Sequence, residues 1–237
     1  ERQSLAEILY LEDAAAMPLP GDNLVKIGVS PIRQPEAEEK KIAASGEYTF
    51  FRSHGEFLRL FEEKRAQSQK FVLGIARLAS DSRDAIAFEA LLQKIEKSLS
   101  EKTGDELPAG RYGSNSLIFF HEGATADACV SFYENLGKIA KDNGYAFAAG
   151  LASWPYLDFG KAEIEDCVLK ALEYGILLPE PHIGVFNTLA LNISADRRFS
   201  LGDIFGAVAE YHQALLADPD NAMARNSLGV CMASLKR

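Results

Sequence analysis

The chain has 237 residues, of which 47% are hydrophobic and 25% are charged, so it can bury a full core and is neither disordered nor fibrous. Its formal net charge of −9 argues against a nucleic-acid-binding face, because phosphate binding relies on clustered Lys and Arg. No apolar run approaches the roughly 20 residues of a membrane span. We therefore expect a cytoplasmic protein, with Cys129, Cys167 and Cys231 as reduced core thiols.

Residues 1–46 form a segment of mixed character. Positions 4–17 have helical spacing, positions 23–30 alternate like a strand, and positions 34–41 are charged and interrupted by Pro35. We interpret the segment as a linker or as the tail of an upstream sensor domain.

From residue 47 to residue 187 the apolar pattern switches regularly between helical and strand periods. It predicts an α+β domain with the ferredoxin-like βαββαβ plan and one extra strand. Gly144 and Gly175 are expected to end helices. The predicted elements are a helix around 57–65, a strand at 70–78, a helix at 84–99, a hairpin about residues 113–115, a helix at 125–143, a strand at 145–151, a helix at 161–174 and a strand at 183–186.

The hairpin carries the most specific motif, Arg111-Tyr112-Gly113 followed by Ser114, Asn115 and Ser116. It resembles the Arg-Tyr-Gly-Gly-Asp-Glu-Phe hairpin of the diguanylate cyclases, the GGDEF family. The segments 48–57, 149–152 and 166–186 are similar to other parts of the same family's domain. The resemblance implies a GGDEF-like domain over residues 47–187.

The residues that would carry the family's chemistry differ. Family members need acidic groups at the first strand and in the hairpin to hold Mg²⁺ and GTP. Here Arg77 and Ala79 stand at the two first-strand positions, and Ser114, Asn115 and Ser116 stand where the second glycine and both hairpin acids would be. The resemblance therefore implies a degenerate domain with no catalytic residues and no metal ligands.

Two interpretations of the hairpin stay open. Arg77, Arg111, Gly113, Ser114 and Asn115 form a candidate nucleotide-binding set, in which the two guanidinium groups converge on an anion. Alternatively, Arg111 makes a salt bridge that supports its strand, and Arg77 faces solvent or an acidic helix.

Residues 188–237 have an all-helical pattern. Ala207, Tyr211, Ala214 and Pro219 have the offsets of the second helix of a tetratricopeptide repeat, and the segment around Asn226 resembles the first helix of the next repeat. The resemblance implies a TPR-like hairpin that binds a protein partner, with Tyr211 and Asn226 as candidate contacts. An unrelated helical hairpin is the alternative.

These observations lead to three hypotheses. The first is a non-catalytic signalling or scaffold protein that has no cofactor and binds a protein partner through its C-terminal helices. The second is a receptor that binds GTP or cyclic di-GMP without turnover. The third, a residual cyclase or another phosphoryl-transfer enzyme, is disfavoured by the missing acids.

Overall fold

The structure is a computed structural model that describes residues 50–80, 85–103 and 107–235. The helix, strand and linker expected within residues 1–46 lie outside the described residues. The described part is a mixed α/β fold with a six-stranded sheet and seven α-helices. The strands are β1 (Phe51–Arg52), β2 (Phe71–Ala79), β3 (Ala109–Tyr112), β4 (Ser116–Glu122), β5 (Ala146–Trp154) and β6 (Ile183–Val185), and the helices are α1 (His54–Gln67), α2 (Ala85–Thr103), α3 (Ala126–Asp142), α4 (Ile164–Leu177), α5 (Thr188–Ser200), α6 (Ile204–Ala217) and α7 (Ala222–Leu235).

The sheet has the strand order β1-β3-β4-β2-β5-β6. Strand β2 lies antiparallel to both β4 and β5, and β3 and β4 form an antiparallel hairpin. The four central strands therefore have the connectivity of two interleaved split β-α-β units, as the order of elements in the sequence predicted. Strands β1 and β6 extend the sheet at its two edges by parallel pairing with β3 and β5.

Helices cover both faces of the sheet, so its central strands are buried on both sides. Leu73, Ile75, Ile118 and Phe120 pack against α1 and α4, and we call this side the α1/α4 face. The alternate residues of the same strands pack against α2 and α3, on what we call the α2/α3 face; they are Val72, Ala76, Leu78, Leu117 and Phe119. Because both faces are covered, β2 is an almost continuous apolar run.

Local signals in the sequence explain where two of the helices begin. Ser53 caps α1: its side chain accepts a hydrogen bond from the backbone N–H of Glu56, while Oε2 of Glu56 accepts one from the backbone N–H of Ser53 at 3.0 Å. Asn187 caps α5 through its Oδ1, which accepts hydrogen bonds from the N–H groups of Leu189 and Ala190. Both caps satisfy N–H groups that a helix terminus would otherwise leave without an acceptor.

The three C-terminal helices continue the core of the α1/α4 face. Leu191 of α5, Tyr211 of α6 and Cys231 of α7 belong to the same buried cluster as Ile75 and Phe120 of the sheet. Cys129 and Cys167 are also buried, which confirms the expected location of the three thiols. No helix within the described ranges is both long enough and apolar enough to cross a membrane.

Two details differ from the prediction. Strand β1 was not predicted, because two residues are too few to display an alternating pattern. Helix α4 does not end at Gly175 but continues to Leu177. A Cβ atom at Gly175 would lie 2.7 Å from the backbone N of Gly184 and 2.6 Å from the carbonyl O of Ala149. This glycine therefore allows close packing of the helix on the sheet and does not end the helix.

Candidate functional site

The β3–β4 hairpin forms the tight turn that the sequence predicted. Gly113 has φ of 65°, a left-handed conformation that glycine adopts without steric cost. The carbonyl O of Asn115 accepts a hydrogen bond of 2.8 Å from the backbone N–H of Leu78, which ties the hairpin to the end of β2. Gly113 and Ser114 are exposed at the tip. The turn and the end of β2 therefore lie side by side, so the candidate nucleotide-binding residues of the two elements are close in space.

Arg111 is held by a carboxylate from α2. Its Nη1 and Nη2 donate hydrogen bonds of 2.7 Å each to Oε1 and Oε2 of Glu89. This bidentate arrangement is the strongest geometry of an Arg–carboxylate pair. The structure thus confirms the salt-bridge alternative for Arg111, and an anion approaching this guanidinium would compete with Glu89.

Arg77 lies on the other side of the sheet. It follows Ile75 by two positions and pairs with Ala148, and both of these residues belong to the core of the α1/α4 face. Arg111 pairs instead with Leu117, which belongs to the α2/α3 face. The two arginines therefore start from opposite faces of the sheet, an arrangement that disfavours their convergence on one anion.

The neighbour of Arg77 on its own face is Tyr112. Its hydroxyl donates a hydrogen bond of 3.3 Å to Oε1 of Glu165 in the first turn of α4. Burial, followed by the charge of Glu165, raises the pKa of Tyr112 to about 12, while the positive charge of Arg77 acts in the opposite direction. Arg77 is thus close to the acidic start of a helix, as the alternative interpretation expected.

The positions that the sequence analysis singled out in the hairpin and at the end of β2 carry neutral or cationic side chains. The hydroxyl of Ser116 donates a hydrogen bond of 3.2 Å to Oδ1 of Asn115, and Ala79 is buried. Among the described residues, no three His, Cys, Asp or Glu side chains lie close enough together to hold a metal ion.

A large open groove lies away from the hairpin tip. It has a volume of about 660 Å³ and is lined by Lys64, Pro108, His121 and Phe132 among others. His121 is near the end of β4, whereas the hairpin tip precedes the start of that strand. The groove is therefore separated from Gly113 by the length of β4.

The two candidate partner contacts of the C-terminal helices have different environments. Tyr211 is 2% exposed, and its hydroxyl donates a hydrogen bond to Asp196 of α5. The prediction that Tyr211 contacts a partner at the surface is therefore corrected: its ring lies in the core and joins α6 to α5. Asn226 is exposed on α7 and stays available to a partner.

Exposed apolar side chains on α6 and α7 were missed by the sequence reasoning. Phe205 is 76% exposed and Leu216 is 70% exposed, and both lie on the opposite side of α6 from the buried Ala207, Tyr211 and Ala214. Ala209, His212 and Leu216 follow Phe205 by 4, 7 and 11 positions, a spacing that places all four on one side of a helix. This spacing is the sequence signal that could have identified the exposed side. Exposed Met223 and Val230 supply a similar surface on α7.

The Arg111–Glu89 pair makes a measurable contribution to stability. Replacing Arg111 with Met, or Glu89 with Gln, is expected to lower the free energy of unfolding by about 1 kcal/mol, because the pair is bidentate and only partly exposed. Urea unfolding of both variants and of the double variant measures the pair as a double-mutant cycle. A coupling energy of zero would contradict the geometry described here.

Comparison with known proteins gave matches among solved structures only. No family model and no curated protein sequence matches the chain. An active GGEEF domain of a diguanylate cyclase from Vibrio cholerae is 14% identical, with a TM-score of 0.42 over 53% of this chain and 90% of that one. The FimX GGDEF domain from Pseudomonas aeruginosa is 15% identical, with a TM-score of 0.45 over 53% of this chain and 88% of that one. A microbial GGDEF domain described in an interaction with cyclic di-GMP is 15% identical, with a TM-score of 0.44 over 51% of this chain and 82% of that one.

Proposed function

We propose that this chain is a non-catalytic signalling or scaffold protein. Its residues 47–187 are a degenerate GGDEF-like domain, and its residues 188–237 are TPR-like helices that bind a protein partner. The observation that carries the proposal is the replacement of every acidic ligand position by a neutral or cationic residue, with Arg77 at the end of β2 and Asn115 in the adjoining turn.

The electrostatic argument concerns a divalent cation beside the hairpin. Two unit charges about 4 Å apart interact by about 4 kcal/mol at an effective dielectric constant of 20, and a divalent ion doubles this energy. A guanidinium at a ligand position repels Mg²⁺ by an energy of this order, whereas a carboxylate would attract it. Without the ion, the negative charge that develops on the phosphates during nucleotidyl transfer has no counter-charge at this position.

The partner-binding part of the proposal is supported by the surface of the C-terminal helices. Phe205, Leu216, Met223 and Val230 are between 49% and 76% exposed, and no carboxylate is exposed on α6 or α7. Exposed apolar side chains on a protein surface are typical of interaction sites where they form a contiguous patch. The exposed Asn226 lies on the same helix as Met223 and Val230.

The proposal predicts that the purified 237-residue chain does not make cyclic di-GMP from GTP and Mg²⁺. Chromatography of the reaction mixture measures the product, with an active diguanylate cyclase as the positive control. Calorimetry with GTP and with cyclic di-GMP, each with and without Mg²⁺, completes the test. We expect no turnover and no heat of binding.

The other outcomes point to the alternative functions. Binding of either nucleotide in the absence of Mg²⁺ would favour a receptor, and the Glu89→Gln variant would then bind more tightly because it releases Arg111 from its carboxylate partner. Turnover that depends on Mg²⁺ would contradict both non-catalytic hypotheses.

A further inference from the structure

The large groove lies where β4 continues beyond the start of its neighbour β3. Strand β3 begins at Ala109, which pairs with Phe119, whereas β4 continues to Glu122. Residues 120–122 of β4 therefore pair fully with β2 on one side but have no partner strand of the described chain on the other. The lining of the groove includes Pro108 and these same three residues, so the groove occupies the place of the missing strand.

Main-chain groups of β4 face this groove. The N–H of Gly123 donates to the carbonyl O of Lys70, just before β2. Since such groups alternate in direction along a strand, those of Phe120 and Glu122 point away from β2. The N–H of Phe120 donates to the carbonyl O of Pro108 at 2.9 Å, but Pro108 has no N–H to return the bond. In the described part of the chain, no hydrogen bond joins the carbonyl O of Phe120 or the N–H of Glu122 to another strand.

The two walls of the groove differ in polarity. On the α2/α3 face, Leu107, Ala124 and Phe132 are half-buried apolar side chains that pack against the core. On the α1/α4 face, Nζ of Lys64 lies 3.7 Å from Oε2 of Glu122, and both side chains are partly exposed. An open strand edge between such walls suits an extended segment that is apolar on one face and polar on the other.

One segment of this chain outside the described residues has that pattern. Positions 23–30 alternate between apolar residues, which are Val25, Ile27 and Val29, and the residues Lys26, Gly28 and Ser30. In a strand the two sets face opposite sides. When the apolar set faces Phe132, Lys26 lies on the side of the Glu122 carboxylate, which is the favourable arrangement of charge.

The start of the described chain lies at the same end of the sheet as the groove. Phe51 of β1 pairs with Ala109, the first residue of β3, so the chain that precedes Phe50 approaches the sheet beside Pro108. Only β3 separates β1 from β4, a distance of about 10 Å. Residues 31–49 can span up to about 60 Å when extended, so they reach from positions 23–30 to Phe50 with ease.

We propose that residues 23–30 form a seventh strand that fills the groove and pairs with the edge of β4 at Phe120 and Glu122. The segment supplies an N–H to the carbonyl O of Phe120 and a carbonyl O to the N–H of Glu122. Because it belongs to the same chain, its effective concentration at the groove is high, which favours it over a peptide from another protein. This docking does not depend on the function proposed above.

Hydrogen exchange of the Glu122 amide tests the pairing, measured by NMR on the complete 237-residue chain. We expect this amide to exchange at least about tenfold more slowly than it does in the Ile27→Asp variant, because a carboxylate is not accommodated against the apolar wall. Slow exchange within residues 23–30 should be lost in the same variant.

Two further variants control the experiment. Ile8→Asp makes the same chemical change in the segment 4–17 and should leave the exchange of Glu122 unchanged. Ala124→Arg obstructs the groove from the other side, and we expect it to release residues 23–30 into fast exchange. Ala124 lies in the short loop between β4 and α3, so a larger side chain there is compatible with the fold, and circular dichroism verifies this.

Three results would overturn the proposal. The first is fast exchange of the Glu122 amide in the unmodified chain, which would mean that the edge of β4 is open to water. The second is slow exchange that persists in both Ile27→Asp and Ala124→Arg, which would assign the pairing to another part of the chain. The third is slow exchange that disappears on dilution, which would identify a second copy of the chain as the occupant.

Discussion

Replacement of Gly150 with Ala is expected to lower the free energy of unfolding by about 3 to 5 kcal/mol, the range of severe packing defects in a core. Gly150 lies in the middle of β5 and pairs with Ile75 of β2 and Gly184 of β6. A Cβ atom at this position would lie 2.8 Å from Cα of Leu172 and closer still to the backbone N of Leu172 and the carbonyl O of Val168. All three atoms belong to the backbone of α4, so a side-chain rotation cannot relieve the overlap.

The consequences of this substitution extend beyond stability. Helix α4 must move away from the sheet, and it carries Glu165, which binds Tyr112, and Lys170, which binds Glu210. We therefore expect the Gly150→Ala variant to disturb both the surroundings of Arg77 and the ion pair between Lys170 and Glu210. The same helix connects the sheet to the C-terminal helices through the shared core.

The matched control is Gly229→Ala, the same chemical change in the middle of α7. Nothing lies within 4 Å of the Cβ position there, so the substitution should stabilise the chain by up to about 1 kcal/mol through helix propensity. Urea unfolding followed by circular dichroism measures both variants. A loss of less than about 1 kcal/mol in Gly150→Ala would mean that α4 does not pack on β5 as described.

The fold was largely predictable because its main elements have strong periodic signals. Leu91, Leu92 and Ile95 define the buried stripe of α2, and they pack together in the core of the α2/α3 face. Gly144, with φ of 81°, follows α3 in the left-handed conformation that the sequence suggested. Such signals depend only on neighbours along the chain, which is why a single sequence contains them.

The candidate site was less predictable because its contacts join distant parts of the chain. Strand β2 is apolar on both faces, so its pattern does not reveal on which face Arg77 lies. Glu89 is 22 residues from Arg111, and no local spacing links the two. The hairpin motif located the turn correctly, but only the pairing register placed the two arginines on opposite faces.

The ion-paired cluster of Lys170, Arg198 and Glu210 shows the same limitation more clearly. Lys170, Arg198 and Glu210 belong to three helices, and each taken alone looks like an ordinary charged residue of a helix surface. A charged residue on a helix is most often solvated, so the sequence favours that interpretation. Only the packing of the three helices reveals that Glu210 is buried between two cationic groups.

His121 connects the core of the α2/α3 face to the large groove described above. Its Nε2 lies 3.0 Å from the hydroxyl O of Tyr133, which is fully buried, and its ring makes edge contacts with Phe132. Burial in these aromatic surroundings lowers the pKa of His121 from the ordinary 6.5 to about 4. The imidazole is therefore neutral in the folded chain at neutral pH.

This pKa predicts that the chain loses stability as the pH falls from 6.5 towards 4. Over that window the unfolded chain binds a proton on His121 and the folded chain does not, so protonation favours unfolding. The lowered pKa corresponds to about 2 to 3 kcal/mol between pH 7 and pH 4.5. Urea unfolding at both pH values measures the loss, and the His121→Gln variant, which cannot titrate there, should lose less by that amount. An equal loss in both proteins, or an NMR titration of the His121 ring near pH 6.5, would contradict the desolvation of this half-buried side chain.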